Sequence, residues 1–152
     1  MVFYRKATLN DVLKMQEFMK EEIQNGIILP RSNDEVATNI RSYTLAVDDD
    51  EIVGLSALHI HALYFAEIRS IVVDKRLRGK GIGKKIVEIL LEEGRNLGIK
   101  QVFTLTYQKG FFLKLSFKEI SKESLPLSKI WADCIRCKHF PICDEISLII
   151  DL

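Results

Sequence analysis

Between positions 78 and 83 the chain reads Arg78-Gly79-Lys80-Gly81-Ile82-Gly83, with three glycines and two cations at the point where a β-like run gives way to a helical one. At such a junction the free N–H groups of the first helical turn and the positive end of the helix dipole converge on one spot, which suits an anion. Glycines let the backbone approach a phosphate oxygen with no Cβ in the way. Two rival phosphate-binding patterns fail on context. No Gly-Lys-Ser/Thr completes a P-loop, and a dinucleotide-binding unit would carry this turn after its first strand, with an acidic residue about 20 positions further on. Here the turn follows several β-like runs. A plain strand-to-helix connection is the alternative for these six residues taken alone.

Two further groups could do chemistry. Cys134, Cys137, His139 and Cys143 offer four soft ligands within ten residues, a Cys3His set of the kind that holds structural zinc. With every position filled by protein, such a site would staple a loop and leave no place for a reactive water. The spacing is tighter than structural zinc sites usually show, and reduced cysteines that pack a loop are the alternative. His59 and His61 stand two apart on one β-like run and so project from the same face. That arrangement suits a metal pair or a base, and equally two ordinary sheet histidines.

The elements that must position these groups follow from periodicity. Val2 to Ala7 predicts a first strand, and Thr8 followed by Asp11 resembles a helix-start box. Val12, Met15, Phe18, Met19 and Ile23 predict an amphipathic helix that ends near Gly26. After Pro30, Ser32 with Glu35 repeats the capping signature, and Val36, Ile40 and Tyr43 supply the stripe of a short second helix. From Tyr43 the period changes to strands: YTLAV, a turn at Asp48 to Asp50, EIVGLSALHI, a break near Ala62 to Tyr64, and AEIRSIVVD, which together predict an antiparallel meander. GIGKKIVEILLEEGRNLG predicts a long helix with Ile82, Ile86, Ile89, Leu90 and Leu97 on one side and Gly98 as its stop. QVFTLT, then GFFLKLSF, then ISLIIDL predict a strand, a short helix running into a strand, and a final strand. No repeat or linker interrupts this order, so the expectation is one α+β domain over 1–152.

Composition narrows the function. The chain carries 22 Lys and Arg against 21 Asp and Glu, a formal charge of +1. A general nucleic-acid binder needs a basic excess to neutralise phosphates, so no nucleic-acid partner is expected. No run approaches the ~20 apolar residues of a membrane span, and the polar N-terminus does not fit a signal peptide. The expected location is therefore the cytoplasm, with no membrane partner. A homodimer is compatible with the sequence and not required by it.

Taken with the order of elements, Arg78, Gly81 and Gly83 resemble the acyl-CoA motif Arg/Gln-x-x-Gly-x-Gly/Ala of the GNAT acetyltransferases. The resemblance covers essentially the whole chain. It implies the GNAT acyl-CoA N-acyltransferase fold, a mixed but mostly antiparallel sheet flanked by helices, with acetyl-CoA as co-substrate. Its pyrophosphate would lie on Arg78, Gly79, Lys80, Gly81, Ile82 and Gly83, and its pantetheine and thioester on the backbone of Ile71, Val72 and Val73. A narrower resemblance, carried by ILPRS, AEIRSIVV, VFTLTY and KIWADC, is to the short single-domain N-acetylglutamate synthases of arginine biosynthesis. It implies transfer of acetyl to the α-amine of L-glutamate.

Acetyl transfer from a thioester to an amine needs a neutral amine, a stabilised oxyanion and a proton for the leaving thiolate. The resemblance places a catalytic glutamate at Glu67, the alternative being a surface or turn carboxylate. The family's usual general acid is a tyrosine in a Phe-Tyr-x-x-x-Gly-Phe stretch, whereas this chain has Phe111-Phe112-Leu113-Lys114-Leu115-Ser116-Phe117. Either Tyr107 replaces it, or solvent supplies the proton, or this copy is impaired. A substrate with two carboxylates calls for guanidinium forks. The resemblance assigns Arg31 to glutamate, with Arg69 and Lys129 as secondary cations and Ser70 as a further contact. Each cation has a solvated surface charge as its alternative. Two other functions stay open: acetylation of a different small amine or a protein amine, and a binding module that senses CoA without turnover.

Overall fold

The computed structural model describes residues 1–125 and 145–152. Seven strands form one sheet in the order β1-β2-β3-β4-β5-β7-β6. The strands are β1 (Val2–Lys6), β2 (Tyr43–Asp48), β3 (Glu51–Ala62), β4 (Phe65–Val73), β5 (Gln101–Thr106), β6 (Lys118–Ile120) and β7 (Ile146–Asp151). Every neighbouring pair is antiparallel except β4 and β5. The mixed, mostly antiparallel sheet and its flanking helices match the expected fold class.

Two apolar layers cover the sheet. On one face lies α3 (Ile82–Leu97), whose Ile82, Ile86, Val87, Leu90 and Leu91 pack on Leu58, Ile68, Val102 and Leu148, together with Phe112 of α4 (Lys109–Leu113). The helical stripe differs from the expected one at its edges. Ile89 is only half-buried and Leu97 is 60% exposed, because the last turn runs past the core; Gly94 takes the buried place. The other face holds α1 (Val12–Gln24) and α2 (Asn33–Thr38), with Val12, Met15, Met19 and Val36 against Tyr43, Leu45, Leu55 and Val72. Tyr43 is buried as the first residue of β2, not as part of the second helix, whose α-helical stretch ends at Thr38.

Both expected capping boxes are present. The Ser32 hydroxyl accepts from the Glu35 amide at 3.1 Å and the Ser32 amide donates to the Glu35 carboxylate at 3.3 Å. The Thr8 amide donates to Asp11 at 2.8 Å, and a single 3-10 turn precedes α1. Asp11 also takes a two-pronged bond from Arg5, at 2.9 Å for each oxygen. These bonds to Arg5, and those from Thr8, outweigh burial and hold the Asp11 carboxyl down at about 2. Among the described residues no helix is long and apolar enough to cross a membrane.

Candidate active site

One cleft follows from how β4 meets β5. The two strands pair in parallel only through Phe65↔Gln101, Ala66↔Val102 and Glu67↔Phe103. Just beyond, the Thr104 hydroxyl donates to the Ile68 carbonyl at 2.9 Å, and no further β4–β5 pairing follows. The strands part, and a cavity of about 870 Å³ opens between them. Its walls include Ile71, Val72 and Val73 on one side, Thr104 to Gln108 on the other, and the loop 26–31 above.

A bulge turns β4 as it enters this opening. Leu55 pairs with Val72 and Ala57 with Arg69, so Ser56 stands opposite two residues, Ser70 and Ile71. Ser70 adopts φ 61°, a left-handed conformation uncommon for a non-glycine residue, and the Ser56 hydroxyl donates to the Arg69 carbonyl at 3.0 Å. Bulges re-aim a strand, and they cluster beside active sites.

At one end of the cleft β4 gives way to a tight turn, in which the Arg76 guanidinium and amide bind Asp74 and hold its carboxyl below the usual range. The chain then enters 78–83. Gly79 and Gly81 take φ of 81° and 84°, conformations that cost a side-chain-bearing residue energy. The first helical bond runs from the Lys85 amide to the Gly81 carbonyl. The amides of Ile82, Gly83 and Lys84 therefore have no place in the helical ladder, and no side chain of the described residues caps this end. A Cβ on Gly83 would stand 3.3 Å from the Phe111 ring, so the helix start is pressed against that wall. Arg78 is tethered at its base: its Nε donates to the Val73 carbonyl at 3.2 Å and its Nη2 lies 3.6 Å from Glu22. Five of these six residues line the cleft; Lys80 does not and is exposed. This end can hold an anion on backbone amides.

The opposite end is built from buried side chains. Glu67 is 1% exposed, not the surface carboxylate that was the sequence alternative, and its Oε1 lies 2.8 Å from His61 Nε2. Arg69 is 8% exposed. The Arg31 side chain is 9% exposed and its Nη1 sits 4.0 Å from Glu35, while its carbonyl accepts from Gln16 of α1 at 2.7 Å, which ties the loop to that helix. Neither arginine is a solvated surface charge. Ser70 and Tyr107 line the same cleft.

Phe112 does not line it. Its ring is fully buried, edge-on to Phe111 and Phe117 at 5.0 and 5.1 Å, and Phe111 is the ring that faces the cavity. His59, His61 and Glu67 do not form a metal-binding group, and among the described residues no three His, Cys, Asp or Glu side chains do. Lys129 and the set Cys134, Cys137, His139 and Cys143 lie outside the described residues. Sequence reasoning missed the pairing of His61 with Glu67. The residues are six apart, and only the hairpin between β3 and β4 brings them together.

The pattern of the "Acetyltransferase (GNAT) family" matches residues 10–117, which contain both ends of the cleft. The chain belongs to the GNAT acetyltransferases. It is 37% identical over 149 residues, 95% of this chain and 93% of the other, to an uncharacterised N-acetyltransferase of Chlorobaculum tepidum. It is 31% identical over 119 residues, 76% of this chain and 68% of the other, to the amino-acid acetyltransferase of Mycobacterium tuberculosis. In structure it superposes with a TM-score of 0.87 on N-acetylglutamate synthase from Neisseria gonorrhoeae complexed with coenzyme A and N-acetyl-glutamate, at 21% identity. All of this chain is covered there, but only 35% of the synthase, so the chain spans about a third of that protein. A Mycobacterium tuberculosis protein in complex with CoA gives a TM-score of 0.83 at 25% identity, with 99% of each chain covered. As a GNAT enzyme the chain is an acetyl-CoA-dependent N-acetyltransferase.

Proposed function

We propose that this enzyme transfers the acetyl group of acetyl-CoA to the α-amine of L-glutamate, giving N-acetyl-L-glutamate, the first step of arginine biosynthesis. The observation that carries the reading is the burial of two guanidiniums, Arg31 and Arg69, in the wall of the same cleft as the carboxylate Glu67. Such forks bind carboxylates bidentately, and two of them in one wall suit an acceptor with two carboxylates. The relative named as an amino-acid acetyltransferase and the synthase that binds N-acetyl-glutamate support the same acceptor class.

In this reading the diphosphate of CoA lies on the amides of 79–84, with Arg78 beside it, and the pantetheine arm runs along the unpaired edge of Ile71 to Val73. Arg31 and Arg69 hold the acceptor's carboxylates and Ser70 its backbone side. Glu67 takes a proton from the ammonium, directly or through water, leaving a neutral amine to attack the thioester carbonyl. A main-chain N–H near Val72 meets the oxyanion. Collapse of the tetrahedral intermediate expels the thiolate, which takes a proton from Tyr107, while the nitrogen gives up its second proton through water to the tyrosinate, leaving a neutral amide. Because Phe112 lies in the core, its lack of a hydroxyl does not argue for an impaired site.

Release of free thiol from acetyl-CoA over a panel of amino acids and small amines tests the proposal. Selective release with L-glutamate is expected. Faster release with a different amine would move the acceptor, and CoA binding without release with any amine would overturn the catalytic reading.

A further inference from the structure

The β3–β4 hairpin carries a second irregularity, on the acceptor side of the cleft. His59 pairs with Glu67 and Ile60 with Ala66, but Ala62 pairs with Phe65, so His61 is the extra residue of a bulge. Freed from the ladder, its ring meets Phe103, His59 and Glu67. It lies tilted on Phe103 with centroids 5.4 Å apart, meets His59 edge-on at 4.7 Å, and places Nε2 2.8 Å from Glu67 Oε1. Phe103 is itself stacked on Phe65 at 5.0 Å and is the β5 residue in register with Glu67. The His61 and Glu67 side chains are 3% and 2% exposed.

A carboxylate buried to this degree is costly to ionise unless a donor meets it. When Glu67 is ionised its oxygen can only accept, so in that state the bond is Nε2–H···Oε1 with the proton on His61. Fixing one oxygen also fixes the plane of the carboxylate, and with it the direction of the second oxygen. The geometry points to His61 as a positioning residue for acetyl transfer, one that keeps Glu67 ionised and aimed at the acceptor amine through the Nε2–H···Oε1 bond. This inference rests on Glu67 being the base. It adds what the assignment of the base leaves open: how a carboxylate with almost no solvent contact stays competent to take a proton. The fixed ring contributes to this, because a hydrogen bond held in one geometry favours the charged form without competing rotamers.

A double-mutant cycle separates this role from a structural one. The variants are His61→Phe, Glu67→Gln and the pair, assayed by thiol release with the amine that the panel selects, alongside thermal melting. His61→Phe keeps a ring and removes the donor. It is expected to lower kcat about tenfold or more, a share of the ~10²–10⁴ that a general base supplies, with KM for acetyl-CoA unchanged. In the Glu67→Gln background the same change should alter kcat by less than about twofold, since there is no base left to orient. His61→Gln, which offers an N–H at similar reach, should recover most of kcat, and His61→Asn, which is too short, should not. If His61→Phe does not fold, the Gln and Asn variants read the same contrast. An equal fall in both backgrounds, an unchanged kcat in His61→Phe, or Asn performing as well as Gln would overturn the inference. Full activity in Glu67→Gln alone would instead remove the base assignment, and the positioning role with it.

Discussion

The two ends of the cleft are made of different material. Around 78–84 the surface is backbone: glycines with positive φ, and amides at a helix start that no described side chain caps. At the other end the surface is side chain: Glu67 held by His61, and Arg31 and Arg69, each with less than a tenth of its surface exposed. A diphosphate is the same in every acetyl-CoA, so a site of fixed amides serves it and needs no particular side chains. An acceptor differs from one GNAT enzyme to the next, and recognition by side chains can change with the sequence while the fold stays. The difference also divides the energetics. Amides at a helix start are solvated until a ligand arrives, whereas buried charges must be partnered in the folded protein at all times.

Variants at each end should therefore fail in different ways. The largest effect is expected from Glu67→Gln, a fall in kcat of about 10²–10⁴ with acetyl-CoA affinity intact, read by thiol release and calorimetry. Weaker acetyl-CoA binding in that variant would mean that the two ends are not separable. Gly81→Asp places a carboxylate where the diphosphate should lie and strains a position at φ 84°. Its dissociation constant for acetyl-CoA should rise at least about tenfold, equivalent to 1.4 kcal/mol, and unchanged affinity would remove the diphosphate from this loop. Arg31→Ala should raise KM for L-glutamate by about tenfold or more, as expected for losing a charged hydrogen bond worth about 1.5–3 kcal/mol, and leave acetyl-CoA binding alone. A kinetic profile like that of the parent would take Arg31 out of the acceptor pocket.

The smallest effect on activity is expected at Asp11, which lies in neither end. The bonds from Arg5 hold its carboxyl down at about 2, below the ordinary 3.8, so the folded state favours the ionised form. That contribution is complete above pH 3.8 and disappears as pH falls through 3.8 toward 2. Asp11→Asn should cost about 2 kcal/mol of stability at pH 7, and the deficit should narrow across that acid window, as measured by denaturant unfolding. A deficit that does not change with pH would show that packing, not the ion pair with Arg5, holds this corner.

The same division decided what could be read from the sequence. Local signals were legible: both capping boxes, the stripe of α1, the meander and the glycine-rich turn depend on residues within a few positions of one another. The place of the cofactor arm at Ile71 to Val73 was legible only through the family resemblance, because the opening there depends on where pairing between β4 and β5 stops. The burial of Arg31 and Arg69 was not legible, since nothing in a run such as LPRS or EIRS says that another layer will cover it. Tyr43 fits both the helical stripe and the start of YTLAV, because a helix at Asn33–Thr38 and a strand from Tyr43 leave too few residues for their periods to be told apart, and the structure places it in the strand. Phe112 aligned with a catalytic tyrosine by spacing, yet the short α4 turns that position into the core. Likewise, the bond from His61 to Glu67 depends on a one-residue bulge that shifts the side chain without leaving a mark in composition.

A crystal structure of the enzyme with CoA and N-acetyl-L-glutamate bound together tests the division of the cleft most directly. The diphosphate is expected within hydrogen-bonding distance of the amides of 79–84, the product's carboxylates on Arg31 and Arg69, and its acetylated nitrogen beside Glu67. A diphosphate bound away from those amides, or a product whose carboxylates meet neither arginine, would contradict that division.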